Sequence, residues 1–72
     1  MNIGEAVRAL RVSCGWSQEE LADKSNTNRH AIYRWENGLN IPRFDMANHV
    51  LRAMGYELYI RPIAKEKRVN EK

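Results

Sequence analysis

One short segment of the chain concentrates side chains that are suited to contacting a nucleic acid. Residues 28–38 have the sequence Asn-Arg-His-Ala-Ile-Tyr-Arg-Trp-Glu-Asn-Gly. An arginine can donate two hydrogen bonds to guanine O6 and N7, and an asparagine can pair with adenine in the major groove. At helical spacing, one face of this segment presents side chains that can donate to phosphates or base edges, namely Asn28, Arg29, His30, Tyr33 and Arg34.

The opposite face of the same segment is apolar. Ile32 and Trp35 lie three positions apart, which places them on one side of a helix. Asn28 has the side chain of a good N-cap, and Asn37 followed by Gly38 favours the end of the helix. We therefore predict a short helix over residues 28–36 that packs on a core through one side and exposes the other. Two alternatives remain: Arg34 in an ordinary surface ion pair, and Tyr33 covering the neighbouring turn.

The charge of the chain is unevenly distributed. The chain of 72 residues has a formal net charge of +3, and residues 24–43 alone carry that net charge, with four basic side chains against Glu36. A local positive charge favours a polyanionic partner. A second basic cluster lies in residues 65–72, which contain few apolar side chains. We interpret that tail as a solvated, mobile end, with a DNA-binding arm as the alternative.

Capping patterns and apolar periodicity predict the helices that must position this segment. Asn2 with Glu5, and Ser17 with Glu20, have the spacing of capping boxes. Asn26 can adopt the left-handed conformation that a tight corner needs. The expected helices are residues 3–13, 18–24, 28–36 and 43–54, with Trp16, Trp35 and Phe44 assigned to the core, Met46 on the inward face of the last helix, and Cys14 as a small buried residue.

The segment after the last helix has a different pattern. Residues 56–61 alternate in character and are rich in aromatic and β-branched side chains before Pro62. A single unpaired strand would be an aggregation hazard, and pairing with the same strand of a second copy removes it. We predict a dimerisation strand that uses Tyr56, Leu58, Tyr59 and Ile60. A fifth helix or an extended piece on the core is the alternative.

Two helices joined by a tight turn, with polar side chains on the second, are what a helix-turn-helix requires. Gln18, Leu21-Ala22, Ile32 and Trp35-Glu36-Asn37-Gly38 together resemble the Cro/C1-type (XRE) helix-turn-helix family over residues 3–55. The resemblance implies an all-α, four-to-five-helix, lambda-repressor-like domain. The strand at residues 56–61 is similar to that of antitoxin-like members, which pair across a homodimer. We expect residues 1–62 to form the domain and residues 63–72 a charged, flexible tail.

The resemblance also implies roles for individual residues. Asn28, Arg29, His30 and Arg34 would face bases, and which arginine contacts a base stays open. Arg11 and Glu36 would form a structural ion pair between the first and third helices. Pro42-Arg43-Phe44 is similar to a segment that places an arginine near the minor groove. The side chains expected at the DNA backbone are Ser17, Gln18, Asn37 and Arg43.

The leading hypothesis is a dimeric repressor that binds double-stranded DNA at a palindromic operator. The alternative is an antitoxin that neutralises a partner toxin and binds DNA for autoregulation. The sequence has no nucleophile with a placed base and no phosphate-binding glycine loop, so we expect no enzyme and no cofactor. His30, His49 and Cys14 lack metal-ligand spacing. No apolar run or leader pattern indicates a membrane or export, so we expect a cytoplasmic, nucleoid-associated protein.

Overall fold

The computed structural model describes residues 2–59, which form four α-helices and contain no strand. The helices are α1 (Ile3–Cys14), α2 (Gln18–Lys24), α3 (Arg29–Glu36) and α4 (Phe44–Ala53). The predicted all-α class is confirmed, and each predicted boundary lies within one residue of the observed one. None of these helices is long and apolar enough to cross a membrane.

Local sequence explains where the first helices begin and how they turn. Both predicted capping boxes are present, because the side chains of Asn2 and Ser17 accept hydrogen bonds from the backbone amides of Glu5 and Glu20. Between α2 and α3, Asn26 adopts the predicted left-handed conformation with a φ of 56°. Asparagine tolerates this region better than most residues, so the corner forms without glycine.

The core lies where all four helices meet. One residue from each of α1, α2, α3 and α4 is fully buried there: Val7, Leu21, Ile32 and Val50. Helix α3 packs against both α1 and α2. The start of α1 comes so close to the end of α3 that a Cβ added at Gly4 would collide with the carbonyl oxygen of Trp35. This close approach leaves no room for a side chain at position 4.

Three predicted core residues are in fact exposed. Phe44 is 49% exposed and Met46 is 41% exposed, although both were expected to be buried. The buried stripe of α4 begins at Ala47, so the first turn of the helix extends past the core, and Met46 also lies off the stripe. Cys14 is exposed because it is the last residue of α1, beyond the part of the helix that packs on the core.

Residues 56–59 follow α4 and belong to neither a helix nor a strand. Leu58 packs against the core, and its backbone amide donates a 2.7 Å hydrogen bond to Asn48 Oδ1. Tyr56 and Tyr59 are 52% and 66% exposed. The remaining part of the predicted strand, Ile60 and Arg61, and the predicted tail at 63–72 lie outside the described residues. The strand that was expected to pair across a homodimer therefore stays a prediction.

Candidate nucleic-acid interface

Helix α3 separates its polar side chains from its apolar ones. Ile32 and Trp35 are buried, with exposed fractions of 0% and 6%. All five side chains predicted to contact bases are exposed, and they lie on α3 or at its N-cap: Asn28, Arg29, His30, Tyr33 and Arg34. We call this set the recognition face. Because the core holds the other side of the helix, these side chains project together from one surface.

Asn28 has a structural task as well as an exposed position. Its Oδ1 accepts a 2.9 Å hydrogen bond from the backbone amide of Ala31, which caps the start of α3. The cap engages the acceptor end of the side chain, so the amide Nδ2 is the group left to face a ligand. Asn28 therefore offers mainly a donor, suited to a phosphate oxygen or to a purine N7.

The two arginines of the recognition face have no ion-pair partner within residues 2–59. The alternative of an ordinary surface pair for Arg34 finds no support there. Arginine carries its charge at any physiological pH and presents donors in a planar fork. Arg29 and Arg34 thus keep their charge and their donors available on the surface of α3.

A buried network at the end of α3 holds α1, α2 and α3 together. Arg11 donates from Nε to Glu36 Oε2 at 2.8 Å and from Nη2 to Oε1 at 3.0 Å, with side-chain exposures of 13% and 3%. The third donor of the fork, Nη1, bonds the carbonyl oxygen of Trp16 at 2.8 Å. The hydrogen bond with Glu36 raises the pKa of Arg11 above its ordinary value, so the guanidinium stays charged.

Gln18 belongs to the same network. Its Nε2 donates a 3.0 Å hydrogen bond to Glu36 Oε1. A carboxylate only accepts hydrogen bonds, so the NH₂ end of the amide must face Glu36. The side chain also lines a cleft with Arg29, His30 and Tyr33. Gln18 is therefore attached to the frame on one side and borders the recognition face on the other.

The turn between α2 and α3 is braced from α4 by a residue for which the sequence indicated no such role. The ring nitrogen Nε2 of His49 lies 2.5 Å from the carbonyl oxygen of Ser25 and must donate to it. The buried Ser25 hydroxyl contacts Leu21 O at 2.6 Å and Thr27 Oγ1 at 2.8 Å. No sequence pattern could have indicated this role for His49, since its partner is a backbone atom 24 residues away.

The other three residues predicted to contact the DNA backbone are exposed, and each also contacts another residue of the protein. Ser17 Oγ accepts from Glu20 N at 3.0 Å, which leaves its O–H free to donate. Asn37 Nδ2 bonds the carbonyl oxygen of Tyr33 at 2.8 Å and closes the end of α3. The side chain of Arg43 is 89% exposed and lies 4.0 Å from Asp45 Oδ1, a loose surface pair. Each of the three retains a donor that could bind phosphate.

Comparison with known proteins agrees with this geometry. The model of the helix-turn-helix family matches residues 7–60, which include all of α2, α3 and α4. The chain belongs to the Cro/C1-type (XRE) helix-turn-helix family. In a helix-turn-helix, the second of the two helices is the one that enters the major groove of DNA, and α3 holds that place here. The surface built around α3 is therefore the candidate DNA-binding surface.

A curated relative supports the same assignment over part of the chain. A competence pilus inhibition repressor of Acinetobacter baylyi is 53% identical over 38 residues, which is 53% of this chain and 34% of that protein. The match thus spans about a third of the length of the relative. No solved structure matches the chain significantly.

Proposed function

We propose that this protein is a transcriptional regulator of double-stranded DNA, a sequence-specific repressor that binds as a dimer to a palindromic operator. In each half-site, α3 would enter the major groove, and the two recognition helices would lie about one helical turn of DNA apart. Bases would be contacted by the recognition face. The DNA backbone would be contacted by Ser17, Gln18, Asn37 and Arg43. We place this activity in the cytoplasm, at the nucleoid.

The observation that carries this proposal is the exposure of the recognition face on a helix whose other side is buried. Protein–DNA specificity needs several side chains that reach base edges from one rigid element. Helix α3 meets that condition because Ile32 and Trp35 anchor it in the core while Arg29 and Arg34 stay exposed and unpaired within residues 2–59. Phosphate-binding residues would then set its position along the groove.

The specificity can be tested by selecting binding sites from a random DNA library with the full chain. We expect an enriched motif with two-fold symmetry, bound with an affinity that falls steeply as salt rises, because phosphate contacts release counterions. Titration against the enriched site and a scrambled one would give the specificity ratio. If no motif is enriched, sequence-specific binding is refuted.

Dimerisation is proposed to involve the segment that follows α4. In a strand, the backbone groups of successive residues point to opposite edges. The amide of Leu58 is directed inward to Asn48, so Glu57 and Tyr59 would present their backbone groups to a second copy. The exposed rings of Tyr56 and Tyr59 would lose solvent contact in that pairing. Ile60 is proposed to take part in the same strand.

Sedimentation equilibrium of the Tyr59→Pro and Tyr59→Ala variants would test this pairing. Proline removes the backbone donor at position 59, whereas alanine keeps it. We expect the proline variant to be monomeric at a concentration where the alanine variant still dimerises. If both variants dimerise as the unmodified chain does, the paired strand is wrong.

A second candidate function is that of an antitoxin, which would bind a toxin protein as well as its own operator. The exposed apolar side chains Leu39 and Ile41, at 57% and 85%, favour a protein partner of this kind. Co-purification from the native organism and inspection of the neighbouring gene would test the idea. Absence of both a retained partner and a toxin-like neighbour would count against it.

A further inference from the structure

Two consecutive side chains of α4 are hydrogen-bonded to backbone atoms of two different segments. His49 donates from Nε2 to the carbonyl oxygen of Ser25, in the turn between α2 and α3. Asn48 accepts through Oδ1 a 2.7 Å hydrogen bond from the amide of Leu58, in the segment that follows α4. Successive helical residues point about 100° apart, so neighbours can reach segments on different sides of one helix. The pair therefore connects the turn before α3 with the segment proposed for dimerisation.

Helix α4 is itself held in the core beside these two contacts. Ala47 and Val50, which flank the pair in the sequence, are 1% and 0% exposed. Leu51, one position further on, is also buried. A helix that is close-packed on its buried side cannot rotate without losing those contacts. Helix α4 is thus a rigid connection between the two segments that its side chains bind.

The contact at Ser25 holds the main chain just before α3. Ser25 is 3% exposed, and the turn directs its own hydrogen bond from Thr27 N to an earlier carbonyl, that of Ala22. Within residues 2–59, the carbonyl of Ser25 is bonded by His49. A buried carbonyl without a partner costs free energy. The turn that leads to Asn28, the N-cap of α3, is therefore held where His49 reaches it.

We propose that Asn48 and His49 are positioning residues that set the spacing of the half-sites to which a dimer of this chain binds. The inference rests on the proposed function, because it requires two copies joined through the segment after α4 and a recognition helix in each half-site. The separation of two recognition helices must match that of the half-sites. In each copy, the connection from the dimer contact to α3 includes the hydrogen bonds to Leu58 and Ser25. This role requires no contact of either side chain with DNA.

The test compares half-site spacings, with the full chain and the operator obtained by site selection. One base pair is inserted or deleted at the centre of the operator, which moves one half-site by about 3.4 Å and rotates it by about a tenth of a turn. The unmodified chain should bind both altered operators at least about ten-fold more weakly, a factor within the usual range for coupled sites. We call this loss of affinity the spacing penalty. Sedimentation equilibrium would give a concentration at which each variant is a dimer.

Two pairs of variants assign the effect to the two hydrogen bonds. His49→Phe keeps a ring and removes the donor, so the spacing penalty should shrink about five-fold, the factor that one hydrogen bond supplies. His49→Gln keeps an N–H donor on a side chain of similar reach and should retain most of the penalty. Asn48→Leu removes the acceptor and should shrink the penalty likewise, whereas Asn48→Asp keeps the acceptor and should retain it.

Ala9→Gly is the control for stability. Ala9 is exposed on α1, and glycine destabilises this helix through propensity. A lower fraction of folded chain weakens binding to every operator by one common factor. The Ala9→Gly variant should therefore keep the full spacing penalty, which a purely structural role of Asn48 and His49 would also leave unchanged.

The proposal is overturned if either His49→Phe or Asn48→Leu keeps the full spacing penalty or no longer dimerises, or if Ala9→Gly loses the penalty. It is also overturned if the unmodified chain binds all spacings equally. Failure of the proposed function differs, because the selection would then enrich no motif with two-fold symmetry. A symmetric motif whose spacing penalty is the same in all these variants removes the role of Asn48 and His49 and leaves the dimeric repressor intact.

Discussion

Gln18 and Glu36 join the first residue of α2 to the last residue of α3 through a 3.0 Å hydrogen bond from Nε2 to Oε1. Glu36 also accepts two hydrogen bonds from Arg11 on α1. The angle between the two helices of the helix-turn-helix, α2 and α3, is therefore tied to the buried ion pair. A change at Gln18 is expected to affect both the stability of the domain and its fit to DNA.

Two substitutions at Gln18 separate these effects. Gln18→Ala removes one hydrogen bond to a carboxylate that Arg11 still satisfies, so we expect a loss of about 1 kcal/mol in the free energy of unfolding. If Gln18 contacts the DNA backbone as proposed, DNA affinity should fall alike for all sequences. Gln18→Glu places a second carboxylate against Glu36 and should destabilise more. Thermal unfolding and DNA titration would measure the two effects. If the two variants are equally stable, the hydrogen bond between Gln18 and Glu36 is contradicted.

Asn28 allows the cap of α3 to be separated from a DNA contact. Asn28→Asp keeps an oxygen that can cap the helix and adds a negative charge near its N-terminus, so stability should be unchanged or slightly raised. The donor that would face DNA is replaced by a charge of the same sign as phosphate, so affinity should fall at least about ten-fold. Melting curves and titration against the selected site measure the two effects.

Asn28→Ala is the matched control, since it removes the cap as well as the donor. It should lower the free energy of unfolding by about 1 kcal/mol. If Asn28→Asp binds DNA as tightly as the unmodified chain, Asn28 lies away from the phosphates and bases.

The sequence predicted what depends on local chemistry. The capping boxes at Asn2 and Ser17, the left-handed Asn26 and the buried face of α3 all follow from short-range patterns. The recognition face was predictable for the same reason, because Ile32 and Trp35 define its opposite side. In α1, α2 and α3, the helix that the local sequence favours is also the one whose apolar face packs on the core.

Short-range sequence patterns could not predict contacts between distant segments of the chain. The brace from His49 to the carbonyl of Ser25 involves a backbone atom, which carries no side-chain pattern. Phe44 fits the apolar periodicity of α4, yet it is exposed, since periodicity gives a direction but not the point at which the core ends. The resemblance assigns Gln18 to DNA, and only the folded structure shows that Glu36 occupies one end of its amide.

Gly4 is expected to be irreplaceable because of the close approach between α1 and α3. Alanine normally stabilises a helix relative to glycine by about 1 kcal/mol. At this position the added Cβ would meet the backbone of Trp35, which cannot move without displacing α3. We expect Gly4→Ala to lower the free energy of unfolding by about 1–3 kcal/mol, as overpacking does. Denaturant unfolding measures this loss, and a stabilised variant would show that the approach is looser.

Ala9→Gly is the propensity control for Gly4→Ala, since Ala9 is exposed in the same helix. It should cost about 1 kcal/mol through helix propensity alone. The two variants thus change helix propensity in opposite directions, and only packing against α3 can make both of them destabilising.

Arg29 is the residue at which direct base recognition can be tested most sharply. Arg29→Ala should remove the preference for one base at a single position of each half-site and leave the rest of the motif enriched, at a cost of about 1–3 kcal/mol for the preferred site. Arg29→Lys should keep most of the salt dependence and lose the two-bond contact with guanine. Repeating the site selection with each variant would show which position changes.

Lys24 provides the charge control for Arg29. Its ammonium lies over the ring of Trp16 at 5.1 Å from the centroid, outside the recognition face. Lys24→Ala removes the same charge and should leave every position of the motif enriched. If Arg29→Ala instead weakens binding to all sequences by one common factor with the motif intact, Arg29 contacts a phosphate, and base recognition on α3 must come from His30, Tyr33 and Arg34.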